Sequence, residues 1–227
     1  MPHKVREVEE FRVKYKDVFH LKNLYIMMHE YLYEEGWYGM PEAEKGKNKY
    51  ASTAHANIEK LYLEKFCQKG LHQGGKEMWV WWRVFKMPDS KWNSYFRYRL
   101  DIDFHMVYIQ NIEVMHQGKK MKIQKGEIEM FIRPWIEGDY QKDPKTGKGH
   151  WEQHWFLKHF QELYEKRLLS QELEKREKEL WREGYRLQGV IKRYLNMRIF
   201  IPVPEPFHPA IYGYEAEPNA GGPLPVK

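Results

Sequence analysis

Residues 95 to 110 read Tyr95-Phe96-Arg97-Tyr98-Arg99-Leu100-Asp101-Ile102-Asp103-Phe104-His105-Met106-Val107-Tyr108-Ile109-Gln110. Even positions from Phe96 to Tyr108 are all apolar or aromatic, while odd positions from Arg97 to His105 are all charged or ionisable. Strand side chains alternate between faces, so this period of two predicts one apolar and one wet face, the pattern of an antiparallel sheet. Upstream, Met78-Trp79-Val80-Trp81-Trp82-Arg83-Val84-Phe85 is apolar on both faces. That predicts a strand covered on both sides, or one whose outer face meets another surface. Met87-Pro88-Asp89-Ser90 is a turn signal between the two runs. After a reversal at His116-Gln117-Gly118-Lys119, Met121 to Pro134 reads as the returning strand. Its apolar positions are odd before Gly126 (Met121, Ile123) and even after it (Ile128, Met130, Ile132). A slip of phase at a glycine predicts a β-bulge at or near Gly126.

Toward the N-terminus, Phe11, Val13 and Tyr15 alternate with Arg12, Lys14 and Lys16, which predicts a strand over residues 7–16 with a basic exposed face. Asp17 is placed to cap a helix of about residues 20–35, whose stripe is Leu21, Leu24, Tyr25, Met28 and Leu32 and whose stop is Gly36. Residues 37–55 show no period and read as a long loop. The period of Ile58 to Cys67 is ambiguous, and the glycine-rich reversal after it favours a strand in a hairpin.

Beyond Trp135 a turn-rich connection leads to Trp151, Trp155, Phe156, His159, Phe160, Leu163 and Tyr164, the stripe of an amphipathic helix expected to pack on the sheet. A second helix is expected over about 170–197. Its first half is nearly all charged, with Glu172–Arg176 and Glu174–Lys178 at the i,i+4 spacing. Leu173, Leu180, Leu187 and Tyr194 lie seven apart, as in a short coiled-coil seam. From Ile199 onward come seven of the twelve prolines, so residues 198–227 read as an extended tail with Phe207, Ile211, Tyr212 and Tyr214 as anchors for a neighbouring surface. The expected architecture is α+β: an antiparallel β-meander packed on one face by an N-terminal helix and two C-terminal helices, one domain over 1–197, then the tail.

With 227 residues, 42% of them hydrophobic, the chain can build a proper core. Cys67 is the only cysteine, which excludes an intrachain disulfide and a multi-cysteine zinc site and suits a reducing compartment. No apolar run approaches the roughly 20 residues needed to span a bilayer, and Met1-Pro2-His3-Lys4-Val5-Arg6-Glu7 lacks the apolar core of a signal peptide. The expectation is a cytoplasmic protein without membrane insertion. A net charge of +6 favours acidic partners, although acidic residues are abundant too.

Asp101, Asp103 and His105 share one strand face and carry oxygen and imidazole donors, a candidate divalent-metal set. Same-face positions along a strand lie about 6.6–7 Å apart, so a metal there needs a further ligand, and a ladder with Arg97 and Arg99 is the plainer reading. His150 and His154 have the spacing of two zinc ligands on a helix but lack the glutamate directly after the first histidine. His29 and Glu30 form a possible acid-base pair that adjacent helical positions do not favour. Cys67 has no local signature of a nucleophile. Arg12, Lys14, Lys16, Lys119, Lys120, Lys122 and Lys125 offer a basic patch, and Trp79 and Trp81 offer rings for stacking on bases or docking a protein. No Walker loop, dinucleotide fingerprint or nucleophile elbow occurs, so no cofactor is expected. Three functions follow: a non-enzymatic structural or interaction protein that self-associates or docks in an assembly through its aromatic sheet and tail; a small hydrophobic-ligand carrier with a pocket lined by Trp79, Trp81, Tyr98, Met106 and Trp155; and a single-stranded nucleic-acid binder.

Overall fold

The computed structural model describes residues 3–39, 58–67, 75–91, 94–116, 119–141 and 149–197. They form an α+β fold with a six-stranded antiparallel sheet: β1 (His3–Glu7), β2 (Phe11–Phe19), β3 (Glu59–Cys67), β4 (Gly75–Lys86), β5 (Phe96–His116) and β6 (Lys119–Gly138). The helices are α1 (Leu21–Glu34), α2 (His150–Gln153), α3 (Leu157–Leu163) and α4 (Ser170–Tyr194). Strand order is β1-β6-β5-β4-β3, with β2 also paired to β6.

The strand expected over residues 7–16 is β2, and a short strand that was not expected, β1, precedes it. β1 pairs with residues 135–138 of β6 and β2 with residues 124–132, so the two lie end to end along one edge. Pro134 explains the break. Within an antiparallel strand a residue's N–H and C=O point to the same neighbour, and the Pro134 carbonyl accepts from Val8 N at 3.1 Å. The donor that proline lacks would have faced that same edge, so the ladder stops there and resumes at Phe11. Asp17 is no cap, since it lies inside β2 opposite Gly126. His20 caps α1 instead, its Nδ1 accepting from Asn23 N at 3.2 Å.

The bulge sits where the phase slip put it, but its extra residue belongs to the other strand. The β5–β6 register shifts between Val107 and Gln110, with Tyr108 at φ 56°. A Cβ on Gly126 would lie 2.6 Å from Ile109 Cδ1 and 3.0 Å from the Val107 carbonyl, which is why glycine stands opposite. The slip turns β5 over. Up to Met106 its even side chains enter the core; beyond it Ile112 and Val114 face away from the helices, opposite Ile123 and Met121.

One face of the sheet is the core. Trp82, Val84, Tyr98, Leu100, Ile102, Phe104, Ile128, Met130 and Ile132 are buried there beneath α1 and α4. The Trp82 indole donates to Tyr25 Oη at 2.7 Å and their rings meet at 4.5 Å, fixing α1 to β4. On α4 the buried stripe is Leu173, Arg176, Leu180, Gly184, Leu187 and Ile191. The charged half therefore docks as well, because Arg176 carries the stripe by pairing with Glu172 (2.8 Å) and Glu179 (2.7 Å) and donating to the Asp89 carbonyl (2.8 Å). The leucines seven apart serve this intramolecular packing, not a coiled coil.

The first C-terminal helix departs from expectation. It is broken at residues 154–156 and continues after α3 as a π turn, Tyr164–Leu168. Of that stripe only Trp151 and Tyr164 reach the core, their tilted rings 4.6 Å apart beside Tyr95. Trp155 is 81% exposed, and Phe156, Phe160 and Leu163 are exposed with it. A stripe at helical spacing shows that one side is apolar, not which surface lies against it.

Candidate functional site

The face of the sheet on which no described helix packs gathers most of the residues singled out in the sequence. Pairing sets two adjacent rows across it: Leu61, Trp81, Asp103, Phe131 and Arg12, then Leu63, Trp79, His105, Glu129 and Lys14. Toward one end, Arg83, Asp101 and Arg133 form the next row, followed by Phe85, Arg99 and Trp135.

That end is closed. Buried Arg97 lies between the rings of Phe85 (4.2 Å) and Tyr140 (4.9 Å) and binds Glu137 at 2.8 Å. Arg99 lies between Phe85 (5.2 Å) and Trp135 (4.8 Å). Asp101 accepts from the Trp135 indole at 3.1 Å and from Arg99 at 3.2 Å, with Arg83 at 3.5 Å. Asp103 accepts from Arg83 at 2.6 Å and from Arg133. Phe85 is held in turn by backbone pairing with Tyr38.

Asp101, Asp103 and His105 thus share a face as expected, but their oxygens are turned to guanidinium groups, and His105 bonds Glu77 at 2.9 Å. Burial disfavours the charge on Glu77, yet hydrogen bonds from His105 and Lys65 hold its carboxyl below the ordinary range. No group of three or more metal-ligating side chains is assembled among the described residues. His150 and His154 sit at the start and the C-cap of the four-residue α2. His29 and Glu30 do touch, at 3.3 Å, on the surface of α1. Cys67 closes β3, opposite Gly75.

The middle of the same face is open. Trp79 and Trp81 on β4 form one wall and Phe131 and Arg133 on β6 the other, with Asp103 and His105 as the floor of a shallow groove of about 330 Å³. Trp79 is pinned, stacked on His105 at 5.1 Å with Lys65 over its other side at 4.8 Å. Leu61 and Leu63 extend the apolar strip to the β3 edge and are 58% and 53% exposed. Phe131, Arg133, Leu61 and Leu63 were not singled out from the sequence. Their signal was legible: Phe131 interrupts the apolar-in, polar-out alternation of β6, an apolar side chain on the charged face.

The basic residues do not form one patch. Arg12 pairs with Glu129, and Lys14 with Glu127 at 2.6 Å, which raises the Lys14 pKa. Lys16 and Lys125 share that face, whereas Lys120 and Lys122 project from the opposite face of the β5–β6 ribbon. The side chain of Lys119 and residues Phe207, Ile211, Tyr212 and Tyr214 lie outside the described residues. The five side chains expected to line a ligand pocket do not meet: Tyr98 and Met106 are buried under the helices, Trp79 and Trp81 lie across the sheet, and Trp155 is exposed elsewhere. Between sheet and helices, the concavity beside Tyr31, Trp37 and Leu180 holds only about 10 Å³. No described helix is long and apolar enough to cross a membrane.

Comparison with protein-family models, with curated proteins and with solved structures finds no match to this chain.

Proposed function

We propose that the protein is a non-enzymatic interaction protein that self-associates or docks in a larger assembly through the face of its sheet opposite α1 and α4. One observation carries this reading: Trp79, Trp81, Phe131, Leu61 and Leu63 form an apolar strip left open on a face where Arg12, Lys14, Arg83 and Arg133 are already paired with carboxylates. Aromatic side chains contribute disproportionately to protein interfaces, and a cluster of them on a fixed scaffold loses little entropy on docking. Pairing of Arg12 and Lys14 with glutamates favours a protein over a polyanion, because a phosphate chain would have to displace those carboxylates.

Size-exclusion chromatography with light scattering tests it. The wild type is expected to form a defined oligomer or to retain a partner, and Trp81→Ala to abolish this while costing about 1 kcal/mol or less of stability. A wild-type monomer at every concentration, without a partner and unchanged by Trp81→Ala or by deletion of residues 199–227, would overturn the reading.

A further inference from the structure

The groove has a shape and a chemistry that narrow its occupant. It runs along the strands between side-chain rows on β4 and β6, which lie two strand spacings apart, about 9.5 Å. A segment lying in it must therefore be extended. Its walls are aromatic apart from Arg133, which pairs with Glu10 at 3.7 Å, and its floor is polar but spent, Asp103 being held by arginines and His105 by Glu77.

The four tryptophans on β4 and β6 separate into two kinds. Trp82 and Trp135 donate their indole N–H groups to Tyr25 (2.7 Å) and Asp101 (3.1 Å). Trp79 and Trp81 donate to no other described residue. Trp79 is covered by His105 and Lys65, so the β4 wall supplies the Trp81 ring together with two indole N–H groups that no described residue accepts. An extended segment with its own backbone donors tied up or missing, and its carbonyls bare, is the complement.

We propose that the groove binds an extended proline-rich peptide, a reading that rests on the docking face proposed above and names its occupant. A polyproline helix has no internal hydrogen bonds, presents bare carbonyl oxygens, and docks in aromatic-lined grooves at low entropic cost because it is already extended. This chain carries such a sequence in Ile201-Pro202-Val203-Pro204-Glu205-Pro206-Phe207. The peptide is supplied by the C-terminal segment of a second copy of the chain.

The probe is a synthetic peptide with the sequence of residues 200–209, titrated by tryptophan fluorescence into the full chain and into the full-chain variant P202A/P204A/P206A, which cannot compete through its own prolines. Binding is expected, tighter to the variant chain. A peptide with the same three prolines changed to alanine should bind at least about tenfold more weakly, as should Trp81→Ala and Phe131→Ala chains. If Trp81→Ala fails to fold, Phe131→Ala carries the test from the opposite wall. No binding to either chain, equal binding of the alanine peptide, or binding indifferent to both wall variants overturns the proposal. Loss of self-association in the wall variants without peptide binding leaves the docking face standing and removes only the proline-rich occupant.

Discussion

Trp81 and Trp82 are neighbours on β4 and meet opposite fates. Trp82 is buried, its ring against Tyr25 and Phe104 and its indole N–H satisfied. Trp81 stands half open beside a groove, over an aspartate claimed by two arginines. The helix side of the sheet is held by excluded water and close packing. The other side is held by a planar array of ion pairs and arginine–ring stacks that is dry at one end and open in the middle. A sheet so built should tolerate the loss of apolar groups from its open face better than from its helix-covered face.

Substitutions on the two faces should separate accordingly. Phe104→Ala on the helix side should have the largest effect, about 3–5 kcal/mol in denaturant unfolding, because it leaves a cavity beneath α1. Trp81→Ala, by contrast, should act on association. Gly126→Ala tests the hinge between the faces: its Cβ would meet Ile109 and two backbone carbonyls at 2.6–3.1 Å, so a loss of about 1–3 kcal/mol is expected. A neutral result would mean that β5 can shed its bulge.

Asp101→Asn should cost about 1–2 kcal/mol, since a carboxylate serving Trp135, Arg99 and Arg83 is replaced by an amide that cannot accept from all three. Chelator should leave the melting temperature unchanged; a shift with EDTA would mean that these carboxylates hold a metal instead of arginines.

The smallest effect expected is at Glu172. Hydrogen bonds from Arg176, then Ser90, hold its carboxyl below the ordinary value of 4.5. A depressed folded pKa stabilises above the unfolded value and is lost as pH falls through the folded one. Wild type and Glu172→Gln should therefore differ at neutral pH and converge on acidification below pH 4.5, as measured by urea midpoints.

Much of the fold was legible. The alternation of β5 predicted its two faces, and the glycine reversal predicted β3. The metal candidates were legible as a row but not as a ladder, because Arg83 and Arg133 reach Asp103 from neighbouring strands whose register no local pattern specifies. The packing of Trp155 and Phe160 was misjudged for a similar reason: an amphipathic stripe records a preference for cover without naming the cover.

By itself the sequence determined which side chains share a face, since the period of two is a property of the extended backbone and needs no partner. It also determined where that period slips, because a glycine opposite two residues leaves a trace in the alternation. Only the tertiary structure decided what covers the apolar face, which acid neutralises which base, and where tryptophans stay open. Those outcomes depend on strand order and on where α1 and α4 lie, and contacts between residues far apart in the chain set both.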